Sequence, residues 1–332
     1  MHLRDQSFGD NMLSSQHVLN CSFSKWYPLF GHISINSQVI KLSEDFIKYL
    51  LSDGIVLPKS DNNGEDLNGW SDDNDNDEDN GSNDGSDDDS VNDIEFVDIE
   101  QQMKQTLGRF GSVFVKLNWS SCEDSQWMSL TGTQCLQTQD IYLLLKSSDK
   151  IVHDLTQPFK YCLDVIEDNS PHIEYELILK KWIDINPSME FRCFIADNQI
   201  IGITQRDVRS YYEHIHQQKE DIIGDIQRFF GRHLKNKFFD EDFVIDVYRP
   251  DRGQVILIDI NPFGKLTDSL LFDWQEIFDN KNNGQINETP EFRYLTSDLG
   301  VQPQRYTMNS IPVDLLNGYT INDVIDDCNI DR

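Results

Sequence analysis

A chain of 332 residues with a formal charge of -30 and an isoelectric point near 4.4 is long enough for one large domain or two modest lobes, and it suits a phosphate backbone poorly, because that partner demands clustered Lys and Arg. Direct nucleic-acid binding is therefore not expected. Six cysteines lie scattered with no CxxC pair, no apolar h-region opens the chain, and no apolar stretch is long enough to cross a bilayer, so the expectation is reduced thiols in a soluble, cytoplasmic monomer with no membrane contact.

Residues 1–16 read as a flexible start. Residues 18–30 are aromatic-rich, and residues 43–51 read as a capped amphipathic helix that ends at Gly54. Residues 61–90 then hold 13 Asp and Glu with no Lys or Arg, among many Asn, Ser and Gly. Such a tract cannot offset its ordering entropy by apolar burial, so a disordered acidic insert is expected over residues 60–93. An EF-hand beginning at Asp75 fails, because its sixth position is Asn80 rather than Gly and its twelfth is Ser86 rather than Glu. Ser71, Ser82, Ser86 and Ser90 would suit an acid-directed kinase, or the run is simply solvated charge.

Beyond the insert, residues 94–107 read as a helix, 112–117 as a strand and 138–145 as a helix. Residues 173–182, 190–195 and 199–206 alternate as strands, and residues 211–234 as one long amphipathic helix. His214 and His216 fall in that helix as surface residues, and none of the eight histidines has HExxH or Cys-His zinc spacing. Helices mixed with hairpins give an α+β fold with antiparallel sheets rather than a doubly wound parallel sheet. The expected division is a first lobe from residues 17–59 and 94–179, a second from 180–275, and an extension, 276–332, partly packed on the body.

Two apolar runs, residues 243–248 and 254–262, carry acid or amide oxygens where apolar side chains would be expected. Period two puts Asp259 and Asn261 on one face, and the intervening Arg249-Pro250-Asp251-Arg252-Gly253 has turn chemistry. An antiparallel hairpin would bring Asp246 to within a residue or two of opposite Asp259. Two carboxylates so close repel unless a cation lies between them, and hard oxygen donors select magnesium or calcium. The alternative, acids at strand ends facing water, fits Asp259 less well because it is embedded in an apolar run.

Lys116 sits in the apolar strand Val113-Phe114-Val115-Lys116-Leu117, which calls either for an anionic partner such as a phosphate or for a strand-edge lysine that snorkels. Lys180-Lys181-Trp182 could set an aromatic beside adenine with an ammonium near phosphate. Glu190 and Arg192 share a face, suited to ribose and phosphate or to a cross-strand ion pair. Residues 108–113 followed by Lys116 have a faint kinase outline, but the first glycine and any His-Arg-Asp loop are missing. Neither GxxxxGK[ST] nor GxGxxG occurs.

Taken together, Cys21-Ser22-Phe23-Ser24-Lys25-Trp26-Tyr27-Pro28, Lys116-Leu117-Asn118-Trp119-Ser120, Ser147-Ser148-Asp149, Glu190-Phe191-Arg192-Cys193-Phe194, Gln205-Arg206-Asp207 and Asp259-Ile260-Asn261-Pro262-Phe263-Gly264 resemble the cell division cycle protein 123 family over roughly residues 17 to 315. The resemblance implies an ATP-grasp fold, two lobes clasping ATP and Mg2+, and an assembly chaperone that binds the gamma subunit of translation initiation factor 2. It implies magnesium ligands at Asp246, Asp259 and Asn261 and a phosphate-contacting lysine at Lys116, with Asn118 and Trp119 beside it. It further implies an adenine-lining hinge at Lys180, Lys181, Trp182 and Ile183, with Glu190 and Arg192 nearby. The competing expectation is a true ATP-grasp ligase that forms an acyl phosphate, with Arg206, Arg209 and Lys265 as candidates for a second-substrate pocket.

Overall fold

The computed structural model describes residues 13–58, 96–165, 170–282 and 288–297. The expected acidic insert lies outside the described residues, as do residues 1–12 and all residues after 297.

The chain begins with helices α1 (Ser15–Asn20) and α2 (Phe23–Phe30), then strand β1 (Ser37–Lys41) and helix α3 (Glu44–Leu51). In α3 the Ser43 hydroxyl accepts from the Phe46 amide, and Glu44 and Asp45 lie where the helix dipole favours acids. Helix α4 (Val97–Phe110) ends on Gly111, whose φ of +81° suits glycine. Strand β2 (Val113–Lys116), helices α5 (Thr138–Lys146) and α6 (Asp149–Thr156), and strand β3 (Glu176–Lys181) complete the first lobe. Its sheet runs β1-β3-β2, all antiparallel, and its core joins Val113, Val115, Leu177 and Leu179 to Phe46, Met103, Ile141 and Leu145 of the helices.

The second lobe holds β4 (Glu190–Ala196), β5 (Gln199–Gln205), helices α7 (Glu213–Gln217) and α8 (Lys219–His233), β6 (Phe243–Asp251), β7 (Gln254–Asn261), α9 (Trp274–Asn282) and β8 (Glu291–Arg293). Its sheet runs β7-β6-β4-β5-β8, antiparallel except for the β5–β8 pair. One face packs on Ile222, Ile226 and Phe230 of α8 and on Trp26 and Phe30 of α2. The α+β class and the two antiparallel sheets expected of an ATP-grasp chain are what these residues adopt.

Several expectations are corrected by packing. Leu13 and Ser15, placed in the flexible start, are buried, and Ser15 donates to Asp164 through both its amide and its hydroxyl. Helix α2, assigned to the first lobe, shares its core with the second sheet. Lys180 and Lys181, assigned to the second lobe, end a strand of the first sheet. The expected helix over 211–234 breaks at Gln218, whose side chain accepts from Arg249, a tie that no local propensity signals. β6 runs on to Asp251, so the turn is only Arg252-Gly253, with Gly253 at φ +77°. A buried ion pair to Asp225 pins Arg249 and keeps the strand extended through it.

Candidate functional site

The two sheets meet at a cleft, and strand period decides what faces it. In β2 and β3, Phe114 pairs with Lys180 and Lys116 with Ile178. Val113, Val115, Leu177 and Leu179 therefore enter the first core, while Phe114, Lys116, Ile178 and Lys180 face the other way. Both lysines are buried, and their ammoniums lie 5.6 and 5.5 Å from the centre of the Phe23 ring.

Across the cleft, β4 and β6 pair Arg192 with Asp246. Phe191, Cys193, Ile195, Ile245 and Val247 pack toward α8, which leaves Glu190, Arg192 and Asp246 on the opposite face. Further along the same face, Phe194 and Val244 join Phe263, Phe272 and Trp274, so one face is apolar at one end and ionic at the other.

Strand β7 supplies the remaining oxygens through a β-bulge. Asp259 pairs directly with Asp246, yet Val247 pairs with Leu257, so Ile258 is the extra residue. The bulge lets Leu257 and Ile260 both enter the core while Asp259 and Asn261 share the cleft face. The Ile258 carbonyl, out of the β6 ladder, accepts from Lys180 Nζ at 2.6 Å.

Each acid meets a side-chain cation. Arg192 grips Asp246 through Nε and Nη2, both at 2.8 Å, and the Asn261 amide donates to Asp246 Oδ2 at 3.2 Å. Lys116 Nζ lies 2.5 Å from Asp259 Oδ2, and Arg206 sits between Glu123 (3.5 Å) and Glu190 (3.3 Å). Burial works against ionisation of Asp246, but the Arg192 and Arg206 guanidiniums bring its carboxyl down to about 2. Glu190 is the better shielded of Arg206's two partners, and burial raises its carboxyl; Glu123 is also opposed by burial, yet Arg206 and Lys150 bring it below the usual range. Burial pulls the Lys180 ammonium down to about 8 against the attraction of Asp259.

Side-chain cations flank both acids: Arg192 pairs with Asp246 and Lys116 with Asp259. Among the described residues no three His, Cys, Asp or Glu side chains are placed to hold a metal. Two carboxylates and an amide oxygen nevertheless fit magnesium, which takes one or two protein carboxylates and completes its shell with phosphate or water oxygens.

Of the residues expected here, Lys116, Lys180, Lys181, Trp182, Ile183, Glu190, Asp246 and Asp259 line the cleft. Arg192 and Asn261 lie directly behind, bound to Asp246. Asn118 and Trp119 do not line it. The Asn118 amide donates to the Glu174 carbonyl and its oxygen accepts from the Glu176 amide, while the Trp119 indole donates to the Val18 carbonyl, so both tie segments together. Sequence reasoning missed Glu123, Ser121 and Thr133 in the lining and weighed Arg206 only as a second-substrate group. Phe114 was within reach of strand period, being two residues from Lys116; Glu123, in a 3-10 turn, carries no such signal.

The D123 family profile matches residues 26–318. A Xenopus tropicalis protein named "Translation initiation factor eIF2 assembly protein" is 42% identical over 341 residues, covering 96% of this chain and 98% of the relative. "Cell division cycle protein 123" of Yarrowia lipolytica is 37% identical over 318 residues, covering 92% and 80%. The solved structure of Cdc123 from Schizosaccharomyces pombe aligns with a TM-score of 0.70 at 31% identity, over 86% of this chain and 99% of that one. With this match running through both sheets and the cleft, the chain belongs to the D123 family, that of cell division cycle protein 123.

Proposed function

We propose that this chain binds ATP with magnesium in the cleft of an ATP-grasp fold and serves as an assembly chaperone for translation initiation factor 2, meeting its gamma subunit in the cytoplasm as a monomer. The observation that carries the nucleotide reading is Lys180, a buried ammonium whose hydrogen bond goes to a neutral carbonyl, beside Lys116, Asp246 and Asp259. Such a cation gains more from a phosphate oxygen than from any neutral partner. Lys116 and Lys180 would meet phosphates, Trp182 and Ile183 would flank the base, and Glu190 would accept from ribose hydroxyls. Asp246, Asp259 and Asn261 would hold magnesium, which when bound neutralises phosphate charge. Arg192 acts by holding Asp246 rather than by touching the nucleotide.

The chaperone reading rests on the family and on the names its relatives carry. A ligase needs free basic groups for a second substrate, and here Arg206 is engaged by Glu123 and Glu190 and Arg209 by Asp207. Mixing purified chain with ATP, magnesium and the gamma subunit should yield a complex. Absence of a complex, or phosphate release that depends on a small amine or acid, would favour the ligase instead.

A further inference from the structure

The two acids of the candidate metal site are neutralised in different ways. Arg192 and Asp246 are directly opposed on neighbouring strands of one sheet, joined by two hydrogen bonds, and Arg192 Nη1 also donates to the Asp268 carbonyl. With the Asn261 amide added, three of the roughly four lone-pair positions of Asp246 are taken by groups fixed within the second lobe. Asp259 is held from the other lobe. Its Oδ2 takes the Lys116 ammonium at 2.5 Å, and its Oδ1 accepts the Ile260 amide. Lys116 delivers one compact charge on a four-carbon stem, and the Phe23 ring lies 5.6 Å from its ammonium.

We propose that Lys116 is a positioning residue that competes with the divalent cation for Asp259, so that metal and nucleotide enter the site together. This rests on the nucleotide reading above. An ammonium and a dication cannot share one carboxylate without strong repulsion, since both would sit within a few ångströms of the same oxygens. Phosphate oxygens near Lys116 offer its ammonium another anion, and its departure gives Asp259 to the metal. Asp246 stays with Arg192 throughout and presents its remaining lone pair. Coupling of this kind is reciprocal: nucleotide strengthens metal binding by the factor by which metal strengthens nucleotide binding.

The test titrates Mn2+ as probe into the full chain without nucleotide, reading free ion by electron paramagnetic resonance. Lys116→Met keeps the length of the side chain and removes its charge. It should bind Mn2+ more tightly than the unmodified protein, by a factor in the range of about 5 to 150 typical of such coupling. Adding Asp259→Asn to it should abolish the gain. Equal Mn2+ affinity in the unmodified chain and Lys116→Met, or a gain that survives Asp259→Asn, overturns the proposal. Should Lys116→Met fail to fold, Lys116→Gln supports or overturns it by the same comparison. Calorimetry of the unmodified protein with ATP and magnesium separates the two levels: no binding there removes the nucleotide reading and this inference with it. Normal binding with unaltered Mn2+ affinity in the variants removes only the inference.

Discussion

Each lobe buries an aspartate, and the two titrate in opposite directions. Asp154, on α6 of the first lobe, accepts from the Ser120 amide and hydroxyl, both at 2.8 Å, and burial raises its carboxyl to about 6 in spite of them. Asp246, on β6 of the second lobe, is no less buried, yet paired guanidiniums bring it down to about 2. The contrast separates what burial does from what a partner does: the Ser120 donors leave Asp154 raised, whereas paired guanidiniums bring Asp246 down.

The sharpest way to break the contrast is Arg192→Leu, which leaves Asp246 buried without its partner and should cost about 3–5 kcal/mol in denaturant unfolding. A loss under about 1 kcal/mol would mean that Arg192 is not what separates the two acids. Next, Asp259→Ala should lower ATP affinity in the presence of magnesium by roughly a hundredfold, more than typical outer-shell changes, while the far-UV spectrum stays that of the native fold. Unchanged affinity by calorimetry would remove Asp259 from the metal site.

A smaller effect distinguishes the lobes by pH. The carboxyl of Asp154 rises on folding from an ordinary value near 3.8 to about 6, so its contribution favours the folded state most below pH 4 and is lost as pH climbs through 6. Asp154→Asn should remove a slope of up to about 1.4 kcal/mol per pH unit in that window. Asp246 has the opposite sign: its contribution is full above pH 4 and is lost as pH falls toward 2. Identical stability profiles for Asp154→Asn and the unmodified protein from pH 4 to 6 would refute the assignment. Least of all should deletion of residues 61–90 matter, since a tract of 13 acids with no Lys or Arg has little apolar surface to pack against the cleft. ATP binding lost in that deletion would mark the acidic tract as part of the site.

Much of the second sheet is legible along the chain. Alternation in residues 243–248 and 254–262, with Gly253 between, fixes a hairpin, and Asp246 does pair with Asp259. Ser43 followed by Glu44 and Asp45 marks the start of α3. The bulge at Ile258 is not legible, because an extra residue shows itself only against the partner strand. Nor is the role of Asn118, whose amide joins segments 56 and 58 residues apart.

By itself the sequence determined the local facts of this protein: the strand periods, the helix starts, the turn, and the presence of acids and lysines inside apolar runs. Those follow from backbone geometry and side-chain alternation over a few residues. Only the tertiary structure decided which cation meets which acid, because Lys116 and Asp259 stand 143 residues apart and Arg192 and Asp246 stand 54. Electrostatic partnership depends on distance in space, and that distance is set by how two sheets pack, which no short stretch of chain contains.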